Sequence, residues 1–135
     1  MKSPEEIIAL MLNEDAFSKL LGMEILALSE GNCTVRMTIA TDHVNGFKIA
    51  HGGIAFSLAD SAIAFAANAH GFKAVTIENT ISYIKPSFLG NQIIASCSQI
   101  HKGKTLGRYA VKLETEEKTL IANVNGLVHF SKEKW

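Results

Sequence analysis

One segment dictates what the rest of this chain can be. Between Gly52 and His70 the apolar residues follow neither the period of two of a strand nor a narrow amphipathic stripe. On a helix, at about 100° per residue, the polar Ser57, Asp60, Ser61 and Asn68 fall in one arc of about 100°, shared with Ala64. The rest of the circumference is apolar and rich in alanine, which favours helix. A helix this apolar has to be wrapped by other structure. Its polar arc carries no Lys, Glu or Arg, so it is expected to meet a narrow cleft or a second subunit rather than bulk water.

The flanking sequence supplies the wrapping. Ser3-Pro4-Glu5-Glu6 is a helix start, with Ser as N-cap, Pro in the first turn and acids near the positive end. A second short helical turn from Ala16 to Leu21 ends at Gly22. Both pieces are expected to pack outside the fold and to carry no chemistry. Residues 23–28 and 32–39 read as two strands around a turn at Glu30-Gly31-Asn32, with Cys33, Val35, Met37 and Ile39 on the buried face. After the central helix come strands at 74–84, 92–101, 105–114 and 119–130. A phase change near Asn79-Thr80 suggests a bulge. The expectation is an α+β fold in which one curled antiparallel sheet wraps one long helix, with the four closing strands forming a meander.

Length and charge narrow the field. At 135 residues the chain is expected to be a single domain over 1–135. Thirteen basic and thirteen acidic residues give zero formal net charge, which argues against nucleic acid or an anionic membrane as partner. No uncharged run is long enough to span a bilayer, and the start of the chain lacks a secretory apolar core, so a cytoplasmic protein is expected. Cys33 and Cys97 form no CxxC pair and read as packed thiols. The histidines show no metal-ligand spacing, and no metal site is expected. GxSxG, P-loop and GxGxxG motifs do not occur.

The chemistry concentrates at the start and middle of the long helix. Asn45, His51, Gly52 and Gly53 gather at its positively polarised end, and Asp60 lies about two turns further on. A carboxylate among apolar residues can serve as a base or nucleophile, or can stand as a solvated or structurally hydrogen-bonded Asp, and N–H groups without a neighbouring Cβ let a carbonyl oxygen approach the backbone. Together they suit attack on an activated carbonyl. Plainer roles stand beside these: Asn45 capping an Asn-Gly turn, His51 holding the loop, and the glycines making a tight turn.

Asn45-Gly46, His51-Gly52-Gly53 and Leu58-Ala59-Asp60, followed by Tyr83-Ile84-Lys85-Pro86 and Lys102-Gly103-Lys104-Thr105, resemble the motifs of hotdog-fold acyl-CoA thioesterases, in particular the phenylacetyl-CoA thioesterase (PaaI) subfamily. The resemblance covers roughly residues 15–130. It implies a hotdog fold that pairs sheets edge to edge into dimers and doubles again into tetramers. It implies an active site at the dimer interface, with Asn45, His51 and the Gly53 amide from one subunit and Asp60 from the other. Within one chain Gly53 and Asp60 would be roughly 10 Å apart along the helix axis, which fits that division. By the same resemblance Thr76 helps hold the attacking water. Tyr83, Lys85, Pro86, Lys102, Gly103, Lys104 and Thr105 lie beside the coenzyme, although exposed lysines in turns are also common. The implied reaction is hydrolysis of an acyl-CoA, aryl-acyl-CoA included, in phenylacetate catabolism. CoA belongs to the substrate, so no cofactor is expected. A non-catalytic acyl-CoA sensor on the same fold is the alternative. A hotdog hydratase or dehydratase fits the helix start poorly.

Overall fold

The computed structural model describes residues 1–135. Chain order runs α1 (Pro4–Glu14), α2 (Ala16–Leu20), β1 (Glu24–Ser29), β2 (Asn32–Thr38), a 3-10 turn at Thr41–His43, α3 (Gly52–Asn68), β3 (Phe72–Tyr83), β4 (Gln92–Lys102), β5 (Leu106–Thr115) and β6 (Leu120–Lys134). The strands form one six-stranded sheet in the order β1-β2-β4-β5-β6-β3, with every neighbouring pair antiparallel. This sheet with its long helix is the hotdog fold of the α+β class.

The helix lies where its composition requires. Leu58, Ala59, Ala62, Ile63, Phe65, Ala66 and Ala67 are fully buried in the core cluster, against Val35, Met37, Ile93, Ala95, Leu113, Val124 and Val128 of the sheet. In β2 the alternation of Cys33, Val35 and Met37 is realised as buried positions between half-buried ones. Gly31 turns the first hairpin at φ +79° and gives its N–H to the carbonyl of Ala66, tying β1–β2 to α3. Helix α1 is capped as expected, with a reciprocal Ser3–Glu6 capping box. It lies outside the sheet, yet it buries Ile7 and Ile8 in the common core. No helix is long and apolar enough to cross a membrane.

Two expectations are corrected. The four closing strands are not a simple meander. Only β4, β5 and β6 follow one another; β3 pairs with β6 and forms an edge of the sheet. The connection at 84–91 therefore carries the chain across the sheet to β4, and nothing in strand spacing reveals such a crossing. Asn68, placed by the helical wheel on the polar arc expected to meet a cleft or a second subunit, is instead buried within its own chain at 1% exposure. Its amide donates to the carbonyls of Ala64 and Ala74, and its oxygen accepts from Ala74 N–H and Trp135 Nε1–H. The wheel gives direction around an axis, not where along it the sheet closes. Ser57, Asp60, Ser61 and Ala64, nearer the start, do remain partly exposed.

Helix α3 runs antiparallel to β3, and three contacts fix the register. Tyr83 meets Gly52, Asn79 meets Asp60, and Ala74 meets Asn68.

Candidate active site

The start of α3 is shaped by its own side chains. His51 is the N-cap, and its Nδ1 accepts the N–H of Gly53 at 2.9 Å. An accepting Nδ1 places the ring proton on Nε2, so the imidazole presents one outward donor. The N–H of Gly52, the first residue of the helix, has no partner within the chain. Its carbonyl accepts the Tyr83 hydroxyl at 2.8 Å. A Cβ on Gly52 would lie 2.9 Å from that hydroxyl, which is why a residue without one stands there. Gly53 was the expected oxyanion donor; as folded, its amide is engaged by His51, and the free donor is one residue earlier.

Asn45 caps its own loop. Its Oδ1 accepts the N–H groups of Phe47 and Ile49, a bridge joins Val44 to Ala50, and Lys48 sits at φ +61° between them. The capping role is therefore real, and it leaves the Asn45 amide NH2 unengaged as a donor. Asn45, His51, Gly52, Gly53, Tyr83, Lys85 and Pro86 all line one cavity of about 550 Å³, whose apolar wall includes Ile54, Ile93 and Ile121. A second cavity, of about 460 Å³, opens on the other side of the helix start. It shares His51, Gly53 and Ile54 and is walled by Phe17, Leu20 and Leu21, with Asp42, His43 and Ser57. The short α2, expected to be inert, thus borders the site.

Asp60 is half-buried on α3, one turn beyond Ser57, and lines neither cavity. Its Oδ1 accepts the Asn79 amide at 2.8 Å. Sequence reasoning missed Asn79. The available signal was the broken alternation in β3, which placed the bulge at Asn79-Thr80, whereas the register shifts between Thr76 and Glu78. Thr76 Oγ1 and Asn79 Oδ1 are buried and have no hydrogen-bond partner within the chain. Buried polar atoms are rarely left so, and such exceptions cluster at functional places.

The remaining candidates lie elsewhere in the chain. Lys102 to Thr105 form the β4–β5 turn, where Gly103 N–H bonds Leu106 and Phe130 N–H bonds Thr105, and the Lys102 ammonium rests 4.7 Å from the Phe130 ring centre. Phe130 pairs with Ala74, while Tyr83 pairs with Ala122. Along β6 those positions are separated by roughly 26 Å of strand, at about 3.3 Å per residue. One chain thus keeps Tyr83, Lys85 and Pro86 at one end of the sheet and Lys102, Gly103, Lys104 and Thr105 at the other. Cys33 and Cys97 face each other across β2 and β4 as free, buried thiols, and burial pushes each up to about 12.

Comparison with known proteins places this geometry. Residues 47–122 match the family model described as the thioesterase superfamily. The chain is 36% identical to the acyl-coenzyme A thioesterase PaaI of Escherichia coli K12 over 119 residues, 88% of this chain and 85% of that protein. It is 28% identical to human acyl-coenzyme A thioesterase 13, covering 83% of this chain and 82% of that one. Among solved structures, the PaaI protein from the phenylacetic acid degradation operon of E. coli superposes with a TM-score of 0.94 at 33% identity, covering 97% of this chain and 95% of the other.

Proposed function

The chain belongs to the thioesterase superfamily, and from that premise we propose how this hotdog-fold thioester hydrolase uses its site on acyl-CoA substrates. The observation that carries the reading is the start of α3. There a free backbone N–H, a histidine N-cap and an unengaged asparagine amide converge on one cavity. A thioester carbonyl laid there points its oxygen at the first-turn amides of Gly52 and Gly53. The Gly52 N–H is ready, and the Gly53 N–H is released if the His51 ring turns towards the substrate. His51 Nε2–H and the Asn45 NH2 hold the carbonyl in line. Fixed dipoles at a helix start stabilise the oxygen as it gains negative charge.

The acid is Asp60 of a second copy. In one chain the α3–β3 register keeps Asp60 opposite Asn79 and Gly52 opposite Tyr83, roughly 12 Å apart along the helix at about 1.5 Å per residue. The edge strand β3 supports a dimer. It is twelve residues long and carries Val75 and Ile77 at 63% and 55% exposure, an open edge that natural sheets normally cover. Pairing β3 with its symmetry mate, antiparallel, would bring one chain's Asp60 towards the other's helix start. It would also carry the Lys102–Thr105 turn to the other chain's Lys85 and Tyr83, joining two groups that a single chain keeps apart. A further pairing of dimers gives the tetramer.

Asp60 either attacks the carbonyl carbon itself or takes the proton from a water that does, with Thr76 as the group that holds the water. On the first route the C–S bond breaks as an acyl–Asp60 anhydride forms, and water then cleaves the anhydride to the free acid and restores the carboxylate; on the second, hydroxide adds to the carbonyl and the C–S bond breaks to give the acid directly. On either route CoA leaves as thiolate and takes up a proton. The reaction needs no bound cofactor. An aryl-acyl group is the proposed cargo: the cavity beside α2 offers Phe17, Leu20, Leu21 and Ile54 as an apolar wall. Phenylacetate catabolism in the cytoplasm is the setting this reading favours. Thiol release should be measured over short, medium and aryl acyl-CoAs, with Asp60→Ala as control. Release from aryl esters, lost in the variant, is expected. Binding without release, or turnover unaffected by the substitution, would overturn the reading.

A further inference from the structure

We propose that Asn79 is the positioning residue of Asp60, put in place by the β-bulge in β3 and by the absence of a side chain at Gly126. The inference rests on the reading of Asp60 as the acid of thioester hydrolysis.

Strand alternation alone would put Asn79 on the wrong face. Phe72, Ala74 and Thr76 turn towards the helix, and regular period-two geometry would continue with Glu78 and Thr80. The register shift between Thr76 and Glu78 inserts one residue. Beyond it Asn79 and Ile81 are the less exposed positions and Glu78 and Thr80 the exposed ones. A bulge re-aims side chains in this way, and bulges concentrate beside active sites. Here it removes a carboxylate, Glu78, from the face that holds Asp60 and substitutes a neutral amide.

Space for that amide comes from the next strand. Gly126 is the register partner of Asn79 on β6. A Cβ at Gly126 would lie 2.7 Å from Asn79 Oδ1 and 2.6 Å from Ile63 Cδ1. Any side chain there would push Asn79 out of its place or lift Ile63 of α3. The amide orientation follows from the acid: only Nδ2 can donate to a carboxylate, so Oδ1 turns towards Gly126.

The chemistry suits an acid that must stay active. A Lys or Arg in this position would form an ion pair and damp the carboxylate's basicity. A neutral amide donor fixes one oxygen at 2.8 Å without cancelling the charge, and no other hydrogen bond within the chain reaches this carboxylate. Oδ2 is thereby free for the proton or the carbonyl carbon. Holding a reacting group in one geometry is a large share of enzymatic rate.

The test is thiol release by Asn79→Leu, alone and combined with Asp60→Asn, with CD to confirm folding. Asn79→Leu should lower kcat roughly 10- to 100-fold, as loss of a hydrogen bond to a charged group does, with KM within about twofold. In the Asp60→Asn background, read in single turnovers, the same substitution should cost nothing further. Gly126→Ala, which leaves Asn79 itself unchanged, should give the same signature. Asn79→Ser, too short to reach Asp60, carries the test if the leucine variant does not fold. Unchanged kcat, an effect on KM alone, or an equal loss in both backgrounds would overturn the proposal while leaving the thioesterase reading intact. An Asp60→Asn enzyme with full turnover would instead remove the reading beneath it.

Discussion

The two ends of α3 treat polar atoms in opposite ways. At the C-terminal end, Asn68 is buried and saturated, with two donations and two acceptances that join the helix, β3 and the terminal Trp135. Trp135 N–H adds a bond to the Gly71 carbonyl, tying the end of β6 to the turn after the helix. At the other end the bookkeeping is left open. The Gly52 N–H is unpartnered, Asn45 keeps its NH2 free, and towards the middle Thr76 Oγ1 and Asn79 Oδ1 are buried without partners. An unmade buried hydrogen bond costs about 1–3 kcal/mol. The closed end therefore supplies stability, and the open end keeps donors available for something outside the chain.

Substitutions at the two ends should separate along that line. The largest effect is expected for Asp60→Ala: kcat for thiol release falls by about 10²–10⁴-fold, the range for losing a general acid or base, while CD and the oligomeric state are retained. Gly52→Pro comes next. Pro is accepted at the first helical position, and His51 before it already has the extended ψ of 139° that a following Pro requires. The variant deletes the free donor, and its Cβ, 2.9 Å from the Tyr83 hydroxyl, also displaces that exposed ring, so Tyr83→Phe serves as the control for the displacement. A fall in kcat of about 10²-fold beyond that of Tyr83→Phe is expected, as for other oxyanion donors. Turnover near normal would move the donor role to Gly53.

Asn68→Ala should do the reverse. Leaving buried Ala74 and Trp135 groups unpaired should cost about 2–4 kcal/mol in urea unfolding, with kcat per folded molecule unchanged. Loss of kcat at full stability would break the contrast between the ends. The smallest effect is expected for Trp135→Phe, which keeps an aromatic ring but loses part of the indole surface and its N–H bond to Asn68: about 1–2 kcal/mol, and no change in turnover. The buried thiols add a probe of the closed core. With both raised to about 12, Cys33 and Cys97 should react with a thiol reagent at neutral pH only as the protein unfolds.

Much of this was legible in the sequence, and the rest failed for definable reasons. The apolar circumference of 52–70 predicted the wrapped helix, and alternation placed the strands to within a few residues; β6 runs on to Lys134 because its charged last turns pair with β3 at the sheet's rim. The helix-start motif led to Asn45, His51, Gly52 and Gly53, which do line one cavity. Strand order was not legible, because pairing of β3 with β6 depends on a crossing that leaves no local pattern. Asn79 was hidden for the same kind of reason. Its role comes from a bulge between Thr76 and Glu78, which the broken alternation signalled but placed at Asn79-Thr80, and from a glycine on another strand, which no local pattern links to Asn79. The free amide fell at Gly52 rather than Gly53 because the His51 ring folds back onto its own helix, a contact two residues apart that spacing does not reveal.

The central claim is that one chain's Asp60 works at the helix start of another. It is tested most directly by mixing two inactive variants, Asp60→Ala and Gly52→Pro, after dissociation and reassociation. Each mixed dimer would hold one site with both parts intact and one with neither. Random pairing should then restore about one quarter of wild-type turnover, by the symmetry of a two-fold interface. Mixtures that exchange subunits and remain as inactive as their parents would contradict the claim.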